Sequence, residues 1–178
     1  MITTATGTIK ADFGKNRFLQ VLLAWYILFW IVMAVSPHNR GDWLLENLLV
    51  FVSVPLLLIT YRRFQFSEMS YLLITIFMTL HAFGAHYTYA EVPLGRWIQE
   101  ILQTKRNHFD RMVHFSFGFF IAYPIRDFLI RVVGVPRLWA YYLPVSAILS
   151  WSGLYEIVES LTAIIVSQEL GDTYLGTQ

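Results

Sequence analysis

Apolar residues fall in five long blocks along this chain, at 18–35, 43–60, 69–87, 111–133 and 138–166. Polar or turn-forming segments such as SPHNRGD and GVPR separate them. About 20 apolar residues cross a bilayer's hydrocarbon core as a helix. The pattern therefore predicts an all-α, polytopic helical membrane bundle with five transmembrane helices in one domain, 1–178. The fifth block exceeds a simple crossing and predicts a helix that tilts, bends or projects beyond the bilayer. Lys10, Lys15 and Arg17 precede the first block, as they would in a secretory signal. Its apolar run outlasts the roughly 7–15 residues of a signal core, and SPHNRGDW offers no small-residue cleavage site, so the block reads as a retained span. A different pattern fills 89–104, YAEVPLGRWIQEILQT. Pro93 and Gly95 break the chain, and then Trp97, Ile98, Ile101 and Leu102 recur at helical spacing among Arg96, Gln99 and Glu100. This predicts a short interfacial amphipathic helix near 96–104, serving as a packed connector or as a lipid-contacting lid.

Composition supports the membrane reading. Of the 178 residues, 56% are hydrophobic and only 14% charged, where a soluble domain would carry roughly a quarter. A net charge of +1 offers no surface for nucleic acid. The absence of cysteine excludes disulfides, thiolate metal sites and cysteine nucleophiles. Arginines and lysines then set a direction. The N-terminal segment, the loop with Arg62 and Arg63, and the loop with Arg131 and Arg137 share one side, which predicts a cytoplasmic N-terminus. Arg96, Lys105, Arg106 and Arg111 oppose this assignment from the other side.

Depth singles out one membrane face whichever way the bundle points. The third span ends there with His81, His86, Tyr87, Tyr89 and Glu91, and the fourth begins there with His108, Asp110, Arg111 and His114. From Pro136 to Glu156 is about 30 Å of helix, so Glu156 and Glu159 reach the same face, as does Glu46 at the start of the second span. Asp110 and His114, at i,i+4, share one helix face, and Gly118 and Ala122 extend it as a row of small residues that another helix can approach. Glu156 and Glu159, at i,i+3, share another. His81 and His86 point about 140° apart on a regular helix, so one of them faces the cluster, and His81 is the deeper.

Each residue also has a plain structural reading: an Asp–His pair or a buried carboxylate can lock helices together at about 0.6 kcal/mol per bond. Arg111 reads first as a snorkelling anchor and second as a substrate contact. His38 and His108 read as solvated loop residues, and Trp43, Tyr89, Trp97 and Trp139 as an aromatic belt. For the set as a whole, intramembrane ionisable groups are costly and usually mark function. His81, His86, Asp110, His114 and Glu156 could ligate Zn²⁺, Mn²⁺ or Mg²⁺. Without a metal, Asp110 could orient His114 as general base with Glu156 as acid. Tyr87, Arg111 and Glu159 complete the candidate site as substrate contacts. No GxSxG elbow, Walker loop or dinucleotide fingerprint is present.

HAFGAHYTYAEVPLG, RNHFDRMVHFSFGF, YEIVE and the terminal GDTYLGTQ together resemble the motifs of the YjdF-type family of bacterial inner-membrane proteins of unknown function. More distantly, DRMVHF at 110–115, followed by a later membrane Glu and a late Asp, is similar to the pattern of VanZ-like proteins, a family associated with glycopeptide resistance. These resemblances point to Asp110, His114, Glu156 and Asp172 and imply an envelope role in the bacterial inner membrane. In the YjdF-type pattern GDTYLGTQ approaches a further acidic segment and a last helix, which predicts a sixth helix beyond Gln178. Three functions follow as expectations. The first is a membrane hydrolase or transferase, metal-dependent or not, acting on an envelope lipid or lipid-linked glycan. The second is a non-catalytic binder of such a lipid or of a glycopeptide. The third, a small transporter, fits least, because it would want polar groups at midplane and broken helices.

Overall fold

The computed structural model describes residues 13–104 and 106–165, and all their side chains except those of Glu159 and Ala163. It is all-helical, with no strand among the described residues. Among these residues seven α-helices follow one another: α1 (Arg17–Ala34), α2 (Arg40–Glu46), α3 (Leu48–Tyr61), α4 (Glu68–His86), α5 (Pro93–Leu102), α6 (Phe109–Phe128) and α7 (Trp139–Ile165).

Local chemistry sets most of the boundaries. Asn16 caps α1 by accepting from the Leu19 N–H at 3.0 Å, and Asn39 caps α2 by accepting from Gly41 and Asp42. Such caps satisfy donors that have no intrahelical partner. The second apolar block divides between α2 and α3 at Asn47, whose buried amide donates to the Trp43 carbonyl at 2.7 Å and accepts from Trp30 Nε1 at 2.6 Å. Helix α6 widens into a π-turn over Leu129–Val133 and stops at Gly134, whose φ of 71° suits a residue without Cβ.

Among the described residues, three helical segments are long and apolar enough to cross a membrane: Arg17–Ala34, Arg40–Tyr61 and Glu68–His86. Of these spans' apolar windows, 6%, 22% and 39% is buried within the protein, so α4 is the central helix and α1 turns most of its surface outward. Val21, Trp25, Leu28 and Val32 lie on that exposed surface, as expected for a helix solvated by lipid. The α4 helix packs between α1 and α6, α2 leans on α4, and α7 lies against α6. The Gly118 face of α6 receives α7: a Cβ at Gly118 would lie 3.7 Å from Ile148 Cγ2. Phe77, Met78 and Ala85 of α4 meet Trp43, Val50, Tyr89, Val92, Phe109 and Val113 in the core. Helices α6 and α7 run 20 and 27 residues over the fourth and fifth apolar blocks.

Amphipathic α5 exposes Leu94, Trp97, Ile101 and Leu102. Its other side is fastened by Asn107, which donates to the carbonyls of Ala90 and Val92 and accepts from the Phe109 N–H. The Asn107 amide fills the space where a Cβ on Gly95 would stand, so only glycine allows this clasp.

Candidate functional site

The end of α4 shapes the first half of the site. Thr88 and Tyr89 both adopt left-handed backbone, with φ of 54° and 51°, an uncommon conformation for side chains of their size. This tight turn folds Tyr89 back over α4, where its ring lies 2.6 Å from the place a Cβ on Gly84 would occupy. The Tyr89 hydroxyl thereby reaches His81 Nδ1 at 2.6 Å, and His81 Nε2 lies 3.1 Å from the Glu46 carbonyl oxygen. A carbonyl only accepts, so Nε2 carries the imidazole proton, and the Tyr89 O–H donates to Nδ1. His81 is 2% exposed and stacks beside Phe77. Both of its ring nitrogens are engaged.

The second half lies where α6 begins and α7 passes it. His114 Nε2 is 3.4 Å from Asp110 Oδ1, one turn earlier, and Nδ1 is 3.9 Å from Glu156 Oε1 of α7. The His114 side chain is 30% exposed, Asp110 53% and Glu156 67%, so this group opens outward whereas His81 is enclosed. The Tyr155 ring sits edge-on to His114 with centroids 6.1 Å apart, and its hydroxyl donates to Glu46 Oε2 at 3.2 Å. Glu46 thus joins both halves, meeting His81 through its carbonyl and α7 through its carboxylate. On the same face of α2, Asp42 is buried, and its Oδ1 has no hydrogen-bond partner among the described residues.

The structure therefore places Asp110 and Glu156 on two sides of the His114 imidazole and keeps His81 nearby as an electrostatic neighbour. His86 goes elsewhere: its Nδ1–H donates to the Met33 carbonyl of α1 at 2.8 Å. Among the described residues no three His, Asp or Glu side chains form a metal-holding group, so the five-residue ligand set is not assembled. Hydrogen bonding explains this, since His81 and His86 spend ring nitrogens on helix-to-helix ties. Tyr87 is half-buried against Phe83 and His86, and Arg111 is exposed beside Asp110. The Glu159 side chain and Asp172 lie outside the described residues. Sequence spacing read Tyr89 as a belt aromatic and passed over Tyr155 and Asp42.

At the opposite end Asp127 ties α6 to α4. It accepts from the Ser67 N–H at 2.8 Å and the Ser70 hydroxyl at 3.0 Å, with Arg131 NH1 3.3 Å away.

Inner membrane protein YjdF of Escherichia coli (strain K12) is 36% identical to this chain over 152 residues, covering 85% of this chain and 72% of that protein. No solved structure matches the chain. The VanZ-like resemblance rests on the sequence motif alone. A family model described as "Predicted membrane protein (DUF2238)" matches residues 18–178, and the chain belongs to that family, to which its apolar helices and the YjdF-type motifs both point.

Proposed function

We propose that this is a multi-pass protein of the bacterial inner membrane, with a cytoplasmic N-terminus, that binds or acts on an envelope lipid or lipid-linked glycan at one membrane face. The observation that carries this reading is the placement of His114 between Asp110 and Glu156, half-open to the surroundings. An imidazole with a carboxylate at each nitrogen can pass a proton from one acid to the other, the exchange that general acid–base chemistry needs. The exposed apolar face of α5 and the exposed Arg111 lie on the same end of the bundle, where a headgroup and its acyl chain would arrive together.

A second reading, non-catalytic binding, draws support from His81, whose two nitrogens are satisfied within the protein. Lipids retained by the full chain after extraction in native-membrane particles separate the readings when compared between parent, His114→Ala and Asp110→Asn. Enrichment of one lipid-linked species in the parent, lost in both variants while folding persists, supports a site. Its conversion on incubation with the parent alone makes that site catalytic. Identical lipid profiles in all three would sink both readings.

A further inference from the structure

At the end of the bundle away from His114, α6 finishes and α7 begins with two arginines aimed at one phenol. Arg126 NH2 lies 3.4 Å from the Tyr141 hydroxyl, with the guanidinium carbon 4.8 Å from the centre of the ring. Arg137, just before α7, is an electrostatic neighbour of the same hydroxyl. Neither arginine forms an ion pair with an acid among the described residues. Asp127, next in sequence to Arg126, spends its carboxylate on Ser67, Ser70 and Arg131 instead. The Nε of Arg126 is buried and has no hydrogen-bond partner among the described residues. Two cations thus converge on a neutral hydroxyl, and a buried guanidinium N–H is left without an acceptor, an arrangement costly unless an anion completes it.

The surroundings narrow the anion's class. Leu138, Trp139 and Tyr142, close in sequence to Arg137 and Tyr141, are exposed, and Trp139 and Tyr142 meet edge-to-face as interfacial aromatics do. A soluble anion gains nothing from that apolar collar. A phospholipid satisfies both parts: its phosphate oxygens accept from the guanidinium forks while its acyl chains lie along the collar.

We propose that Arg126, Arg137 and Tyr141 form a binding site for the phosphate of an anionic phospholipid headgroup. The site lies on the membrane face opposite His114 and does not depend on the function proposed there. Basic pockets between transmembrane helices take such headgroups elsewhere in membrane proteins, on the side where arginines collect. Arg62, Arg63 and Arg131 collect at this end as well.

The test is native mass spectrometry of the detergent-purified full chain titrated with phosphatidylglycerol, with phosphatidylcholine of the same acyl chains, and with inorganic phosphate. Phosphatidylglycerol should bind at least about tenfold more tightly than phosphatidylcholine. The Arg126→Ala/Arg137→Ala variant should lose about thirtyfold of that binding, two arginines at about 1 kcal/mol each. Should the double variant fail to fold, Arg137→Ala alone, at an exposed position, should lose about fivefold. Equal binding of the two lipids, or unchanged binding by the folded variants, would overturn the site. Occupancy by inorganic phosphate as strong as by phosphatidylglycerol would overturn the lipid as its ligand.

Discussion

Asp127 and Asp110 are carboxylates on the same helix, near opposite ends, and they are held in opposite ways. The Asp127 side chain is 8% exposed and takes a backbone N–H, a serine hydroxyl and an arginine, so its charge and its lone pairs are both answered within the protein. The Asp110 side chain is 53% exposed and lies against His114, which itself faces a second exposed acid, Glu156. A carboxylate enclosed by donors from two helices is a fastener. A carboxylate that shares an imidazole with another acid, in reach of the surroundings, is left open, as the proposed function requires. Ionisable groups at a membrane boundary therefore divide by how completely they are answered, not by residue type.

The comparison breaks most visibly at the fastener. Asp127→Ala should cost about 3 kcal/mol in reversible unfolding from mixed micelles, because it strips a buried ion pair and leaves the Ser67 and Ser70 donors unanswered. A loss under about 1 kcal/mol would show that the network is ornamental. Gly84→Ala tests the other end, since its Cβ collides with the Tyr89 ring. It should cost about 2 kcal/mol as an overpacked site and release Tyr89 from His81, seen as a changed His81 imidazole signal in nuclear magnetic resonance. Tyr155→Phe should have a smaller effect, about 0.6 kcal/mol, the usual worth of one interhelical hydrogen bond in a membrane. Its readout is faster proteolysis of α7, whose described packing is against α6 and whose hydroxyl bond reaches Glu46.

Much of this was legible in the chain, for physical reasons. Helix length and apolar content mark the blocks that become α1, α4, α6 and α7, because backbone groups in lipid must be satisfied within each segment. The i,i+4 spacing of Asp110 and His114 guaranteed their shared face, and the arrival of Glu156 beside them followed from helix rise alone. Three things were hidden. Tyr89 reaches His81 through two left-handed residues at Thr88 and Tyr89, and neither type advertises that conformation. Tyr155 and Glu46 are 109 residues apart, beyond any local pattern. The break at Asn47 depends on Trp30 from another helix. The separation of His86 from His81 was half visible: their angular offset showed that only one could face inward, and the Met33 carbonyl decides where the other goes.

The division of labour between the two ends stands or falls on one paired measurement, the unfolding free energy of His114→Ala beside Asp127→Ala in the same micelles. The account predicts that His114→Ala unfolds within about 0.5 kcal/mol of the parent, as a half-open group held by long contacts should, while Asp127→Ala falls by several times more. Equal losses in the two variants would make His114 a fastener like Asp127 and contradict the account.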